Sequence, residues 1–228
     1  MGGTMLGAVR SNRWHGAEID AAWGRYAAQR VDAMGKRILL IQGHPDPCQD
    51  HLCHTLAKAY ASGATLGGHE IRVTCVALLD FPLLRSQREW EHDTLPAALR
   101  QAQDDIIWSE HMVMFFPLWL GDMPALFKGF LEQVARPGFA FAGDPMGLMT
   151  KKPLAGRSAR VVVTMGMPAL LYRLYFRAHS VKSLKRNILR FIGLRPVTET
   201  LIGKVGKADT STVGALIAKL EELGREGA

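Results

Sequence analysis

Five short aliphatic runs, separated by stretches of helical periodicity, restrict this chain to very few architectures. The first, RILLIQ at 37–42, is too brief for a helix, almost wholly apolar, and followed by Gly43. Those traits mark a strand buried on both faces of a sheet. EIRVTCVAL (70–78), HMVMFF (111–116), ARVVVTM (159–165) and residues 197–202 read as the other strands. Helical spacing runs from His51 to Leu66 and stops at Gly67-Gly68, a helix C-terminus signal. It resumes from Leu95 to Ser109 and from Pro124, suited to a first helical turn, to Ala135. A basic helix ends near Ile192 and a closing helix covers Ser211 to Gly224, while 137–156 reads as a long loop. Strand and helix alternation predicts an α/β fold, a five-stranded parallel sheet in the order 2-1-3-4-5 covered on both sides. Residues 36–228 form that domain. Residues 1–35 are an N-terminal extension, helical over Ala17 to Met34 or disordered.

Composition agrees, with 48% hydrophobic and 21% charged residues among 228, far from a disordered chain. No apolar run reaches the roughly 18 residues of a spanning helix, and the first residues lack the uninterrupted apolar core of a secretory signal. Cys48, Cys53 and Cys75 have no repeated spacing, which argues against a disulfide framework and for a reducing cytoplasm. A net charge of +7 raises nucleic acid as a partner, but no nucleic-acid reader pattern is present, so none is expected. The excess is local. Arg173, Arg177, Lys182, Lys185, Arg186, Arg190 and Arg195 stand between Leu170 and Arg195 without a single Asp or Glu, leaving the rest formally neutral.

A sheet wound in this order binds ligands beyond the carboxyl ends of strands one and three. That nominates loops 43–51, 117–123 and 165–180. The first, GHPDPCQDHLC, leads into a helix whose N-terminus attracts phosphate. It contains neither GxGxxG nor GxxxxGK[ST], so the ligand is not held by the ordinary dinucleotide or triphosphate motifs. His44 stands at the mouth as a turn-capping residue or a ligand contact. His44, Cys48, His51, Cys53 and His54 lie close in sequence, but no second ligand pair occurs elsewhere, so no metal is expected. In the second loop, Pro117, Leu118, Trp119 and Leu120 suit a flat heterocycle, backbone N–H groups meeting its edge and side chains its face. In the third, Thr164 and Gly166 precede Tyr172 and His179, two candidate proton donors to a developing oxyanion.

FPLWLGDMPALFKGFLEQV (116–134), with its second proline seven positions after the first, resembles the flavin-dependent NAD(P)H:quinone oxidoreductases of flavodoxin-like fold. The likeness extends from about Lys36 to Lys204. It implies a three-layer flavodoxin-like sandwich and a flavin, FAD first and FMN as the alternative, with NAD(P)H as electron donor and a quinone as acceptor. By the same resemblance Pro117 to Leu120 line the ring, and Glu132 lies on the flavin side of its helix. Thr164, Met165, Gly166 and Met167 hold the pyrimidine edge, and His44, Leu52 and Cys53 occupy the phosphate side. Tyr172 and His179 take the catalytic positions. Cys53 stands where the family has Asn, and Met167-Pro168 replaces a second glycine. A homodimer is implied. The rival implication is a flavin-binding ancillary subunit docking on a membrane potassium-efflux transporter, peripheral and not inserted.

Overall fold

A computed structural model describes residues 35–47, 51–141 and 152–228. The anticipated helix of the extension, and most of the long loop, lie outside the described residues. Five strands, β1 (Arg37–Gln42), β2 (Glu70–Cys75), β3 (His111–Pro117), β4 (Ser158–Thr164) and β5 (Val197–Ile202), form one parallel sheet in the order β2-β1-β3-β4-β5. Side chains alternate across it, as period two requires. Leu39, Ile41, Met112, Met114, Phe116, Val161 and Val163 join one buried cluster; Ile38, Leu40, Val113, Phe115 and Val162 join the other.

The second cluster is closed by α1 (Leu52–Leu66) and α7 (Thr210–Arg225). Glycine makes their close approach possible. A Cβ at Gly63 would stand 1.8 Å from the Glu221 carbonyl oxygen, and one at Gly224 2.1 Å from that of Tyr60. The first cluster is covered by α3 (Arg100–Trp108), α4 (Ala125–Val134), α5 (Ala169–Leu174) and α6 (His179–Ser183).

Several boundaries differ from expectation. The second strand stops at Cys75 because β1, its sole partner, ends opposite it at Gln42; residues 76–78 then tighten into a 3-10 turn. The helix expected from Leu95 begins as a 3-10 turn at Ala97–Leu99 after Pro96, with α3 proper starting at Arg100. An unanticipated helix, α2 (Gln87–His92), is capped by Ser86, whose Oγ accepts from the Glu89 N–H at 3.2 Å. The basic helix is broken. Arg177 and Ala178 adopt left-handed φ values of 52° and 48°, turning the chain from α5 into α6, which continues as a π-helical stretch, Leu184–Leu189.

Candidate functional site

Strands β1, β3 and β4 end side by side, and the segments that follow them enclose a basin of about 390 Å³. His44, Asp46, His51, Leu52 and Cys53 line one wall, Pro117, Leu118 and Trp119 a second, Thr164, Met165 and Gly166 a third, with Val205 between β5 and α7 completing it. The volume falls within the usual range for small-molecule sites.

The first wall is organised by a polar residue at the end of an aliphatic strand. Gln42 is fully buried, and its Oε1 accepts from the His44 N–H at 3.1 Å and the Cys53 thiol at 3.5 Å, tying β1 to the start of α1. Asp46 gathers three imidazoles. His51 Nε2 lies 2.7 Å from its Oδ2, His54 Nε2 2.9 Å from its carbonyl oxygen, and His44 Nδ1 3.1 Å from both its N–H and its carbonyl. His44 and His51 stack with centroids 4.1 Å apart, and Trp119 meets His44 edge-on at 5.9 Å. Burial, reinforced by the neighbouring imidazoles, pulls His44 down to about 4, so it is neutral at pH 7. Burial also pushes the Cys53 thiol up to about 12, leaving it protonated. At its N-terminus α1 has no side-chain cap from His51. The Leu52 and Cys53 N–H groups, unpaired within the helix, present the positive end of its dipole at the basin wall.

The second wall is held by main-chain bonds. The Leu118 N–H donates to the Thr164 carbonyl at 2.8 Å, and Trp119 and Asp122 exchange N–H···O bonds of 2.8 and 3.0 Å around a tight turn. This corrects one expectation: the donors at 118 and 119 are already used and are not available to a ligand edge. On the third wall Met165 is likewise committed, to Ile202, but the Gly166 and Met167 N–H groups have no acceptor among the described residues. A Cβ at Gly166 would meet no heavy atom within 4 Å.

Five anticipated site residues do not line the basin. Leu120 sits at the tip of the turn with φ 48° and its side chain in solvent. The Met167 side chain packs against the first core cluster, and its carbonyl accepts from Lys204 at 3.1 Å. Glu132 pairs with Lys128 and borders a separate hollow with Trp90, Phe141 and Phe191. It lies eight residues beyond Pro124, about 12 Å along the helix from the end nearest the basin. Tyr172 is 1% exposed within the first core cluster. Its hydroxyl, raised by burial, lies beside Val181 and Ser180 without completing a hydrogen bond. His179 opens α6 and is exposed. Ser180 Oγ donates to Asp122, which links α6 to the Trp119 turn. Asp46, Asp122, Ser180 and Gln42 escaped sequence reasoning. Only Gln42 carried a signal, as the one polar residue closing an otherwise aliphatic strand interior.

Residues 36–223 match a family model described as flavodoxin-like fold. An uncharacterized NAD(P)H oxidoreductase of Haemophilus influenzae is 25% identical over 127 residues, 54% of this chain and 60% of that protein. The FMN-dependent NADH:quinone oxidoreductase 1 of Colwellia psychrerythraea is 29% identical over 123 residues, 53% of this chain and 59% of its own. The chain thus spans less than two thirds of the curated relatives it matches. The solved NAD(P)H:quinone oxidoreductase from Methanothermobacter marburgensis superposes with a TM-score of 0.71 at 20% identity, covering 85% of this chain and 97% of that one. This last likeness establishes the fold alone.

Proposed function

The chain belongs to the flavodoxin-like fold family that its residues 36–223 match, and on that premise we propose that it is a flavin-dependent NAD(P)H:quinone oxidoreductase. One observation carries the reading: a helix N-terminus without a side-chain cap among the described residues, an indole face and an unused backbone donor at Gly166 converge on a single basin at the topological switch point of the sheet. These residues fit a flavin. The Leu52 and Cys53 N–H groups suit its phosphate, Trp119 and Pro117 its ring, and the Gly166 N–H its acceptor-rich edge, where the missing Cβ leaves room. Sequence reasoning put FAD first; the Colwellia relative's name carries FMN, and we assign FMN to this chain.

A flavin held there supplies two-electron hydride exchange between the nicotinamide and the acceptor. The protein's part is positional and electrostatic. Neutral His44 brings no charge of its own to the phosphate side, where the positive end of α1 faces the anion. Trp119, half exposed, covers an apolar face, and the tight turn beneath it fixes the indole. Proton supply to the reduced acceptor is assigned to exposed His179, next to Ser180, whose bond to Asp122 holds α6 beside the turn.

The test is an absorbance spectrum of the purified full chain, mass identification of any released flavin, and anaerobic titration with NADH and NADPH. A yellow protein bleached by a nicotinamide and recoloured by a quinone is expected. A colourless protein that neither FMN nor FAD reconstitutes would end the proposal. His179→Gln should slow acceptor reduction and leave flavin reduction by NAD(P)H intact; equal loss in both half-reactions removes its assigned role.

A further inference from the structure

Arg160 is a half-buried cation that forms no ion pair among the described residues. It stands near the start of β4. Its Nη1 donates to Thr200 Oγ1 at 3.0 Å, while its Nε, shut off from solvent, has no acceptor among the described residues. Burial pulls the guanidinium below its ordinary value, and Tyr60 and Glu226 oppose that only in part. A desolvated cation is costly unless an anion answers it, and the guanidinium fork is the group best shaped to grip one.

This guanidinium borders a cleft of about 360 Å³ at the outer edge of the sheet, which shares no lining residue with the basin. Arg160 lies four residues before Thr164, about 13 Å down the strand from the basin wall. Side-chain alternation puts Arg160 and Thr200 with Val162 and Ile202, on the face that α7 covers and away from α5 and α6. Thr200, 7% exposed, accepts from Arg160 and so keeps its own hydroxyl proton to give. Lys219 of α7, exposed and in no ion pair among the described residues, adds a second cation to the lining. The sheet edge adds main-chain donors. No described strand flanks β5 on its outer side, and the Ala159 and Met165 N–H groups donate to the Pro196 and Ile202 carbonyls. The even-numbered peptide groups of β5 therefore face β4, and the Glu199 and Leu201 N–H groups face outward. The acid in the lining, Glu199, is already paired, with Lys185 at 2.7 Å and Arg173 at 3.4 Å. Leu201 and Leu223 supply apolar surface.

We propose that this cleft is a second binding site, for a small phosphate monoester whose phosphate sits among Arg160, Thr200 and Lys219 and whose organic group lies against Leu201 and Leu223. The number of donors selects phosphate over carboxylate. A guanidinium edge alone occupies both oxygens of a carboxylate, leaving the hydroxyl, the ammonium and the edge N–H groups without an acceptor. The three terminal oxygens of a phosphate monoester have lone pairs for all of them. A bare phosphate ion would fill only a small part of the cleft, so the ligand carries a body of small-metabolite size. The site stands whether or not the basin holds a flavin.

The experiment is calorimetric titration of the full chain with phenyl phosphate, in phosphate-free buffer, with benzoate as the carboxylate control and with a repeat under saturating FMN. Phenyl phosphate should bind, benzoate should bind more weakly, and FMN should leave the phenyl phosphate affinity unchanged. Arg160→Gln should weaken binding at least about tenfold. Thr200→Val, which keeps the shape and removes the hydroxyl, and Lys219→Gln should each weaken it about threefold to fivefold, with melting temperature and quinone turnover unchanged. No binding of phenyl phosphate at millimolar concentration overturns the proposal. So does binding that Thr200→Val and Lys219→Gln both leave unaltered, a test that holds even if Arg160→Gln fails to fold. Benzoate bound as tightly as phenyl phosphate assigns the cleft to another class of anion, and phenyl phosphate displaced by FMN assigns the binding to the basin; either result overturns it. Yellow, reducible protein that binds no phenyl phosphate sinks the cleft alone; colourless protein that binds it sinks the reductase reading alone.

Discussion

Replacing Gly166 by alanine separates folding from ligand binding. The position lies outside the left-handed region, and a Cβ there meets no atom of the described residues within 4 Å, so alanine enters the free fold without strain. By restricting the unfolded chain it should stabilise by about 0.4–1 kcal/mol, raising Tm by roughly 1–4 °C in a domain of this size. Binding should respond in the opposite sense. The new methyl projects where a ring must approach the third wall, displacing it by up to about one bond length, 1.5 Å. That stretches a normal N–H···O contact beyond about 3.5 Å, costing about 1 kcal/mol for the bond. Loosened ring contacts add a similar amount, for a total of about 2 kcal/mol or roughly thirtyfold in Kd. The assay is fluorescence titration of FMN into flavin-free protein, with thermal melts run in parallel. An unchanged Kd in a variant that melts as well as its parent would refute the placement of the ring against residues 164–166. Gly203→Ala is the folding control, since its Cβ would stand 2.3 Å from the Ala169 nitrogen and should lower Tm.

Three further outcomes are expected. His44 and His111 are both held to about 4 by burial, against about 6.5 unfolded, so the unfolded chain takes up protons the folded one refuses. Their contribution is therefore complete above pH 6.5 and lost as pH falls toward 4, on the order of 2 kcal/mol each; equal urea midpoints at pH 7.5 and 4.5 would contradict this. Gly63→Ala should gain about 1 kcal/mol of helix propensity yet lose more, because its Cβ falls 1.2 Å short of the 3.0 Å floor for such contacts and drives α7 outward. A net loss near 2 kcal/mol, read as a Tm lower by roughly 4–8 °C, is expected, and an unaltered melt would show that the seam relaxes freely. Cys53, protonated and buried, should resist alkylation at pH 8 until urea is added; mass spectrometric labelling of native Cys48→Ser protein at Cys53 would disprove its burial.

The sheet was legible because β1 and β5 are wholly local signals, short β-rich runs closed by loops, and their residue limits agree with the sequence reading. Where a partner decides the boundary, sequence falls short. β2 ends because β1 has ended, which nothing in EIRVTCVAL announces. The α2 helix was missed despite its Ser86 to Glu89 capping pattern, because no residue in it is buried and periodicity had nothing to register. Loop residues adjoining strand ends, nominated from the sequence, line the basin. Glu132 and Tyr172, named by resemblance, do not line it, since one turns away along its helix and the other is held inside the core. The Asp46 and Asp122 contacts join residues whose pairing depends on how separate loops fold back, and spacing does not encode that.

The glycine seam between α1 and α7 joins the opening of the domain to its far end. During synthesis α1 leaves the ribosome about 140 residues ahead of the helix that covers it. At about 5–20 residues per second its apolar face waits roughly 7 to 30 seconds uncovered. The nascent domain can therefore complete its second core only after α7 emerges, and for that interval it is a client for any chaperone that recognises a bare helix face.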